Sequence, residues 1–242
     1  MDTALKELAV AQEFTTCVHA DAGVLLRLLQ LASPALPVGA YSYSQGLEWA
    51  VDQGIVSNFD GAFRWIGDAL RDSMANCEAV YLVHMLRSWR SGDITSAILH
   101  DEAFRASRDT SELRAETLQM GFSIRQLLGQ LKITLPEEVS RMERISFPGG
   151  WSYLAHCWGL SEHDAVTAYL WSWLENQVMA AVKSVPLGQS EGQRLLLELS
   201  AQVSGHIESI LNSSIEDAMN SLPGYALASC MHETQYARLF RS

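Results

Sequence analysis

From residue 22 onward apolar positions recur at helical spacing along almost the whole chain. No stretch shows a sustained apolar/polar alternation bounded by turn residues, so strands are expected to be absent or trivial. The strongest signal runs over 162–184, where Val166, Tyr169, Leu170, Trp173, Leu174, Val178 and Ala181 share one helical face. Trp171 and Met179 widen that face and leave Ser172, Glu175 and Asn176 as a narrow polar strip. A helix this apolar belongs either in a core or at a subunit interface. The next helix carries Leu195, Leu196, Leu199, Val203, Ile207 and Ile210 on one face, behind a capping-box pattern of Ser190 with Gln193.

Punctuation completes the reading. Ser57 with Asp60, Asp109 with Glu112 and Ser161 with Asp164 each set a capping residue three before an acid. Gly54, Gly92 and Gly159 stand where helices should stop. Pro34, Pro37 and Gly39 break the chain early, and Phe147-Pro148-Gly149-Gly150 predicts a break midway. Pro223-Gly224 should end a helix and free the C-terminal residues after it. Within that last stretch Leu227, Met231, Thr234 and Ala237 fall roughly on one side, a rhythm too short to hold a helix alone. The expectation is an all-α, single-domain bundle of about ten helices. Residues 1–21 form a mobile extension, 22–222 the helical domain, and 223–242 a partner-binding tail that orders on contact.

The chain has 242 residues, enough for a sizeable core, with 48% apolar and 19% charged residues. Its formal charge of −11 argues against nucleic acid and against an anionic membrane surface. No apolar run approaches the ~20 residues that span a bilayer. Asp2, Glu7 and Glu13 interrupt the N-terminus, which does not read as a signal peptide. Cys17, Cys77, Cys157 and Cys230 are widely spaced, as expected of free buried thiols in a reducing cytoplasm.

Catalytic chemistry is sparse. The segment Pro186–Gln193 holds two glycines before a helix, but no Lys-Ser/Thr follows and Glu191 would repel a phosphate. A capped turn is the simpler reading. No pair of the seven histidines has the i, i+4 spacing of a helical metal site. Cys230 and His232 are the only weak metal candidates, as soft ligands for Ni(II) or Cu(I). No nucleophile elbow is present, and Glu162-His163-Asp164 reads as the solvated first turn of a helix. Two segments differ from the rest. One is Leu36–Glu48, an apolar stretch with Tyr41, Tyr43 and several small residues ending at Glu48. The other is the tail, with Tyr225, His232, Tyr236, Arg238, Phe240 and Arg241. Tyr and Arg concentrate binding energy in interfaces. A tail folded on its own core competes with a tail offered to a partner.

These two segments also carry a family resemblance. LLQLASPALPVGAYSYSQGLEWAV at 28–51 resembles the N-terminal signature of the urease accessory protein UreF family. SELRAETLQMG at 111–121 is similar to its central helix. AYLWSWLENQVMAAVKSVPLGQSEGQRLL at 168–196 resembles its most recognisable stretch, and HETQYARLFRS at 232–242 its C-terminus. The resemblance runs over about 22–242. It implies an all-α homodimer that assembles with UreD (UreH in some species), the GTPase UreG and apo-urease. It implies a non-catalytic adaptor with no cofactor of its own, nickel and GTP being handled by the partner complex. By position in the family motifs, Tyr41, Tyr43, Glu48, Tyr236, Arg238, Phe240 and Arg241 are the expected partner-binding residues. Three other readings compete: a GTPase-activating protein with Arg238 or Arg241 as a finger, a direct nickel chaperone, and a cofactor-free helical enzyme.

Overall fold

A computed structural model describes residues 21–242. The expected extension over 1–21 therefore lies, apart from Asp21, outside the described residues, as does Cys17. Asp21 caps α1 (Ala22–Ala32) by accepting from the amide of Gly23. A 3-10 turn at Ala40–Ser42 leads to α2 (Leu47–Asp52). Next come α3 (Phe59–Ala69) and α4 (Ala79–Ser91), joined without a break by a π-helical stretch, Leu70–Glu78. The chain continues through α5 (Ile94–Ala106), α6 (Ser111–Gln130), α7 (Glu137–Arg141) and α8 (Phe147–Cys157). It ends with α9 (Glu162–Ser184), α10 (Gln189–Asn212) and α11 (Pro223–His232). No strand occurs among the described residues, and the expected ten helices are present if α3 and α4 count as one rod.

α9 is the central rod. Ala165, Tyr169, Leu170, Trp173, Leu174, Val178 and Ala181 are buried against α10, α1, α2 and α4. The choice left open by its apolar face is thus decided for the core. Of its large apolar residues, only Met179 at the margin is well exposed. The expected face of α10 is buried in full, and Leu197 on the opposite side lies in solvent. One continuous core joins nearly all the helices. A smaller cluster of Cys77, Tyr81, Met85 and Phe104 sits beneath the 213–222 connection. The π stretch anchors that connection. Its widened turns leave the carbonyls of Asp72 and Asn76 free to accept from Ser221 and Met219, at 3.3 and 3.0 Å.

Several boundaries differ from expectation. Ser161 caps α9 as expected, through the amide of Asp164 at 3.0 Å. Elsewhere a neighbour takes the role. Asn58 caps α3 instead of Ser57, and Thr110 caps α6 instead of Asp109. At α10 the Glu191 side chain reaches back to the amide of Gly188, displacing the Ser190 box by two residues. Gly54, Gly92 and Gly159 do take positive φ just past helix ends. Phe147-Pro148-Gly149-Gly150 is not a break. It opens α8, capped by Ser146, with Pro148 in the first turn, where the missing N–H costs nothing. Pro223 likewise begins α11, whereas α10 has already ended at Asn212. The inward face of α11 is Tyr225, Ala228, Ser229 and His232, while Leu227 and Met231 point outward, the reverse of the sequence rhythm. Of the cysteines described, Cys77 is buried, but Cys157 and Cys230 are exposed. No helix among the described residues is long and apolar enough to cross a membrane.

α6 meets the residues leading into α8 at backbone distance. A Cβ on Gly121 would collide with the carbonyl oxygen of Ile145, whereas one on Gly129, near the end of the same helix, would meet nothing within 4 Å. Gly121→Ala should therefore lower unfolding stability by about 3 kcal/mol. Gly129→Ala should raise it by about 0.5 kcal/mol through reduced chain entropy. Denaturant unfolding of the two variants side by side checks both signs.

Candidate functional site

The segment after α1 passes through the left-handed region at Gly39 (φ 76°) and again, just before α2, at Gln45 (φ 54°) and Gly46 (φ 83°). A non-glycine residue there is strained by about 1 kcal/mol or more, so its surroundings must hold it. They do so through one amide. Gln45 Oε1 accepts from Trp173 Nε1 at 2.8 Å, Tyr225 Oη at 2.5 Å and Gln177 Nε2 at 3.4 Å. Gln45 Nε2 donates to Glu116 at 2.7 Å. The glycine that follows is needed for space as well as for φ, because a Cβ on Gly46 would lie 2.9 Å from the backbone nitrogen of Ser229 in α11.

The tail closes over this turn. Glu48, in the first turn of α2, accepts from the amides of Leu239 at 2.6 Å and Phe240 at 3.0 Å. The same carboxylate meets His232 Nε2 at 3.2 Å, and His232 Nδ1 meets Glu112 at 2.8 Å. Arg238 donates to the other oxygen of Glu112 at 2.7 Å. Further along, the amide of Arg241 donates to Ser42 at 2.8 Å, and the Ser242 main-chain oxygen accepts from Ser44 Oγ at 2.8 Å and Gln45 N at 2.9 Å. Ser242 Oγ donates to Glu116 at 2.9 Å. The expected free tail is thus folded back on the early turn in this structure.

Beneath lies a buried polar core. Arg108 donates to Glu78 at 2.7 Å, and Tyr169 donates to the same carboxylate. Burial pushes the phenols of Tyr169 and Tyr225 well above the usual range, so both serve as O–H donors. A cavity of about 50 Å³, large enough for a few waters, is lined by Gln45, Glu78, Arg108, Glu116 and Trp151 together with apolar neighbours. Arg108 Nε and Trp151 Nε1 have no protein partner.

The seven residues singled out from sequence separate into two groups. Tyr41, Tyr236, Arg238 and Arg241 are exposed. Tyr43, Glu48 and Phe240 are buried and hold the tail from within. Cys230 and His232 do not converge: His232 is buried between its two carboxylates, and Cys230 faces solvent. Among the described residues no group of three His, Cys, Asp or Glu side chains could hold a metal ion. Glu162-His163-Asp164 is a first turn, as expected, with Glu162 engaged by Arg87 and Arg90. Sequence reasoning missed Gln45, Glu78, Arg108, Glu112 and Glu116. A signal was present for Glu116, which falls on the face of α6 shared by Leu113, Met120 and Ile124, where an acid is out of place unless paired.

A sequence model of the UreF family matches residues 56–200 of the chain. The chain is 52% identical over 223 residues to the urease accessory protein UreF of Azoarcus sp. strain BH72, covering 90% of this chain and 95% of that protein. Its similarity to the protein of the same name from Dechloromonas aromatica is 47% identity over 222 residues, 90% and 97% of the two chains. For Methylobacillus flagellatus the figures are 42% over 221 residues, 90% and 97%.

Glu116 makes the interior sensitive to pH. Burial raises its carboxyl from the usual 4.5 to about 7, against the opposing hydrogen bonds from Gln45 and Ser242 and the charge of Arg108. A carboxyl raised on folding favours the native state while it stays protonated. That contribution is complete below about pH 4.5 and is lost as pH rises through about 7. Glu116→Gln should therefore gain stability relative to the unsubstituted chain as pH rises from about 4.5 to 7, by on the order of 3 kcal/mol, and level off above. Urea unfolding of both proteins across that range measures the difference.

Proposed function

The chain belongs to the UreF family of urease accessory proteins, and on that premise we propose that it is a non-catalytic adaptor in urease maturation. In this reading it works in the cytoplasm with UreD (UreH) and the GTPase UreG, as a GTP-dependent complex that inserts nickel into apo-urease. Nickel and GTP are handled by the assembled complex. The observation that carries the proposal is convergence. All four segments of the family resemblance, distant in sequence, meet at one place: Gln45 and Glu48, Glu112 and Glu116, Trp173 and Gln177, and His232 with Ser242. A polar junction of that kind fixes the shape of a surface and offers no nucleophile. Tyr41, Tyr236, Arg238 and Arg241 are the displayed part, and Tyr43, Glu48 and Phe240 support it. Between the adaptor and an arginine finger, Arg238 favours the adaptor, because Glu112 already holds its guanidinium.

Tyr41→Ala and Arg238→Ala should each weaken recruitment of UreG by about 1–3 kcal/mol, roughly 5- to 150-fold, with the helical circular dichroism unchanged. Co-purification of UreD and UreG with each variant, alongside urease activation, is the measurement. Wild-type recruitment and activation by both variants would refute the site.

Self-association is the second part of the proposal. With the aromatic face of α9 taken up by the core, the exposed leucines of α1 (Leu25, Leu26 and Leu29) are the apolar face best suited to a two-fold contact. Sedimentation should find a dimer at micromolar concentration that Leu26→Glu shifts toward monomer. A wild-type monomer throughout that range would rule it out.

A further inference from the structure

Away from the polar junction, α4 and α5 bring two histidines together. Gly92 (φ 75°) reverses the chain between these helices, and α5 packs back along α4. His84 and His100 stand equally far from Gly92 in sequence, so the hairpin sets them opposite each other. Their ring centroids are 5.7 Å apart, with the planes inclined at 70°. Both residues are half-buried.

Each ring already uses one nitrogen. His84 Nε2 lies 3.1 Å from the main-chain oxygen of Ser213. A carbonyl only accepts, so Nε2 carries the proton and Nδ1 the lone pair. His100 Nδ1 lies 3.4 Å from Ser88 Oγ, whose own proton goes to the His84 carbonyl at 2.9 Å. Ser88 therefore accepts from Nδ1–H, and Nε2 of His100 keeps the lone pair. An imidazole whose second N–H is held by a protein acceptor is in the state of a metal ligand, with tautomer and ring orientation fixed in advance. An ion about 2.1 Å from one nitrogen of each ring would put the ring centroids roughly 5–6 Å apart, which matches this pair.

We propose that His84 Nδ1 and His100 Nε2 together bind one late first-row transition dication. Neutral imidazoles suit that class, whereas Mg(II) and Ca(II) prefer oxygen. Among the described residues no third His, Cys, Asp or Glu completes a group with them, so water fills the remaining positions and the ion exchanges. The charge of Glu216, on the 3-10 turn Ile215–Asp217, reaches both rings and favours a cation there. The consequence lies in the connection that His84 holds. Ser213 begins the 213–222 stretch, and a coordinated His84 is a stronger and better fixed donor to its carbonyl. The ion therefore tightens that stretch. The site is independent of the adaptor reading.

The probe is Zn(II), added to the full chain while histidine ring signals are followed by NMR. Loss of a signal in His84→Gln or His100→Gln identifies each ring. In the wild type both signals should shift together as one ion binds. In either single variant the surviving ring should lose that response, its affinity falling at least about tenfold. Ser88→Ala removes the acceptor at His100 and should weaken binding about tenfold, with the two rings still moving together. The amides of Met219 and Ser221, bonded to Asn76 and Asp72, should exchange more slowly with Zn(II) in the wild type and not in the histidine variants. His206→Gln should respond as wild type, and circular dichroism checks the fold of every variant. Rings that each respond unchanged when the other is removed would overturn the shared site. Uptake of Zn(II) at the exposed thiols of Cys157 and Cys230 with both rings unmoved would overturn it as well.

Discussion

A carboxylate taken out of water has to be surrounded by donors, and Glu48 meets that demand with atoms from the other end of the chain. Two tail amides and His232 supply its hydrogen bonds. Leaving such a group buried and unpaired would cost several kcal/mol, so the early turn and the tail are held as one unit. The same closure includes the bond from Gln45 N to the Ser242 main-chain oxygen and the close approach of α11 to Gly46. The tail adds little apolar burial of its own beyond Tyr225 and Phe240, so its place is set mainly by polar geometry.

The interior beneath this junction is arranged with matching care. Arg108 answers Glu78, and Gln45 divides its amide between Glu116 and three donors. Buried ion pairs contribute little net stability, because desolvation offsets the attraction. Their value lies in specificity: only one arrangement of the early turn, α6, α9 and α11 satisfies all these groups at once. A surface assembled in this way has a single shape, which suits the adaptor role proposed above.

Much of the fold is legible in the sequence because it derives from helical period and from end signals. The faces of α9 and α10 come directly from the spacing of their leucines and aromatics, and Gly92 and Gly159 mark the helix ends correctly. Proline is the main source of error. Pro148 and Pro223 look like breakers, yet each sits in a first turn, a position that spacing alone does not separate from a helix end. The polar junction is harder to see. Its members lie as far apart as Gln45 and Ser242, and a side chain that folds back on a distant turn leaves no periodic trace. Family resemblance points to the segments that converge at this junction, but it does not separate Tyr41, which is displayed, from Tyr43, which is buried. That distinction depends on the 3-10 turn at Ala40–Ser42, which sends these two nearby aromatic residues to opposite sides.

The π-helical stretch Leu70–Glu78 also constrains how the chain can change over evolutionary time. Each wide turn carries an extra residue, so the register of α4 relative to α3 depends on the number of residues between them. Loss of one residue there would let the rod relax to regular α-helix and turn everything beyond it by about 100°. Leu82, Val83, Leu86 and Trp89 would then swing away from the core they now fill. Point substitutions on the solvent side of this stretch are therefore open to drift, whereas insertions and deletions are not. Across homologues its length should be held more tightly than its sequence.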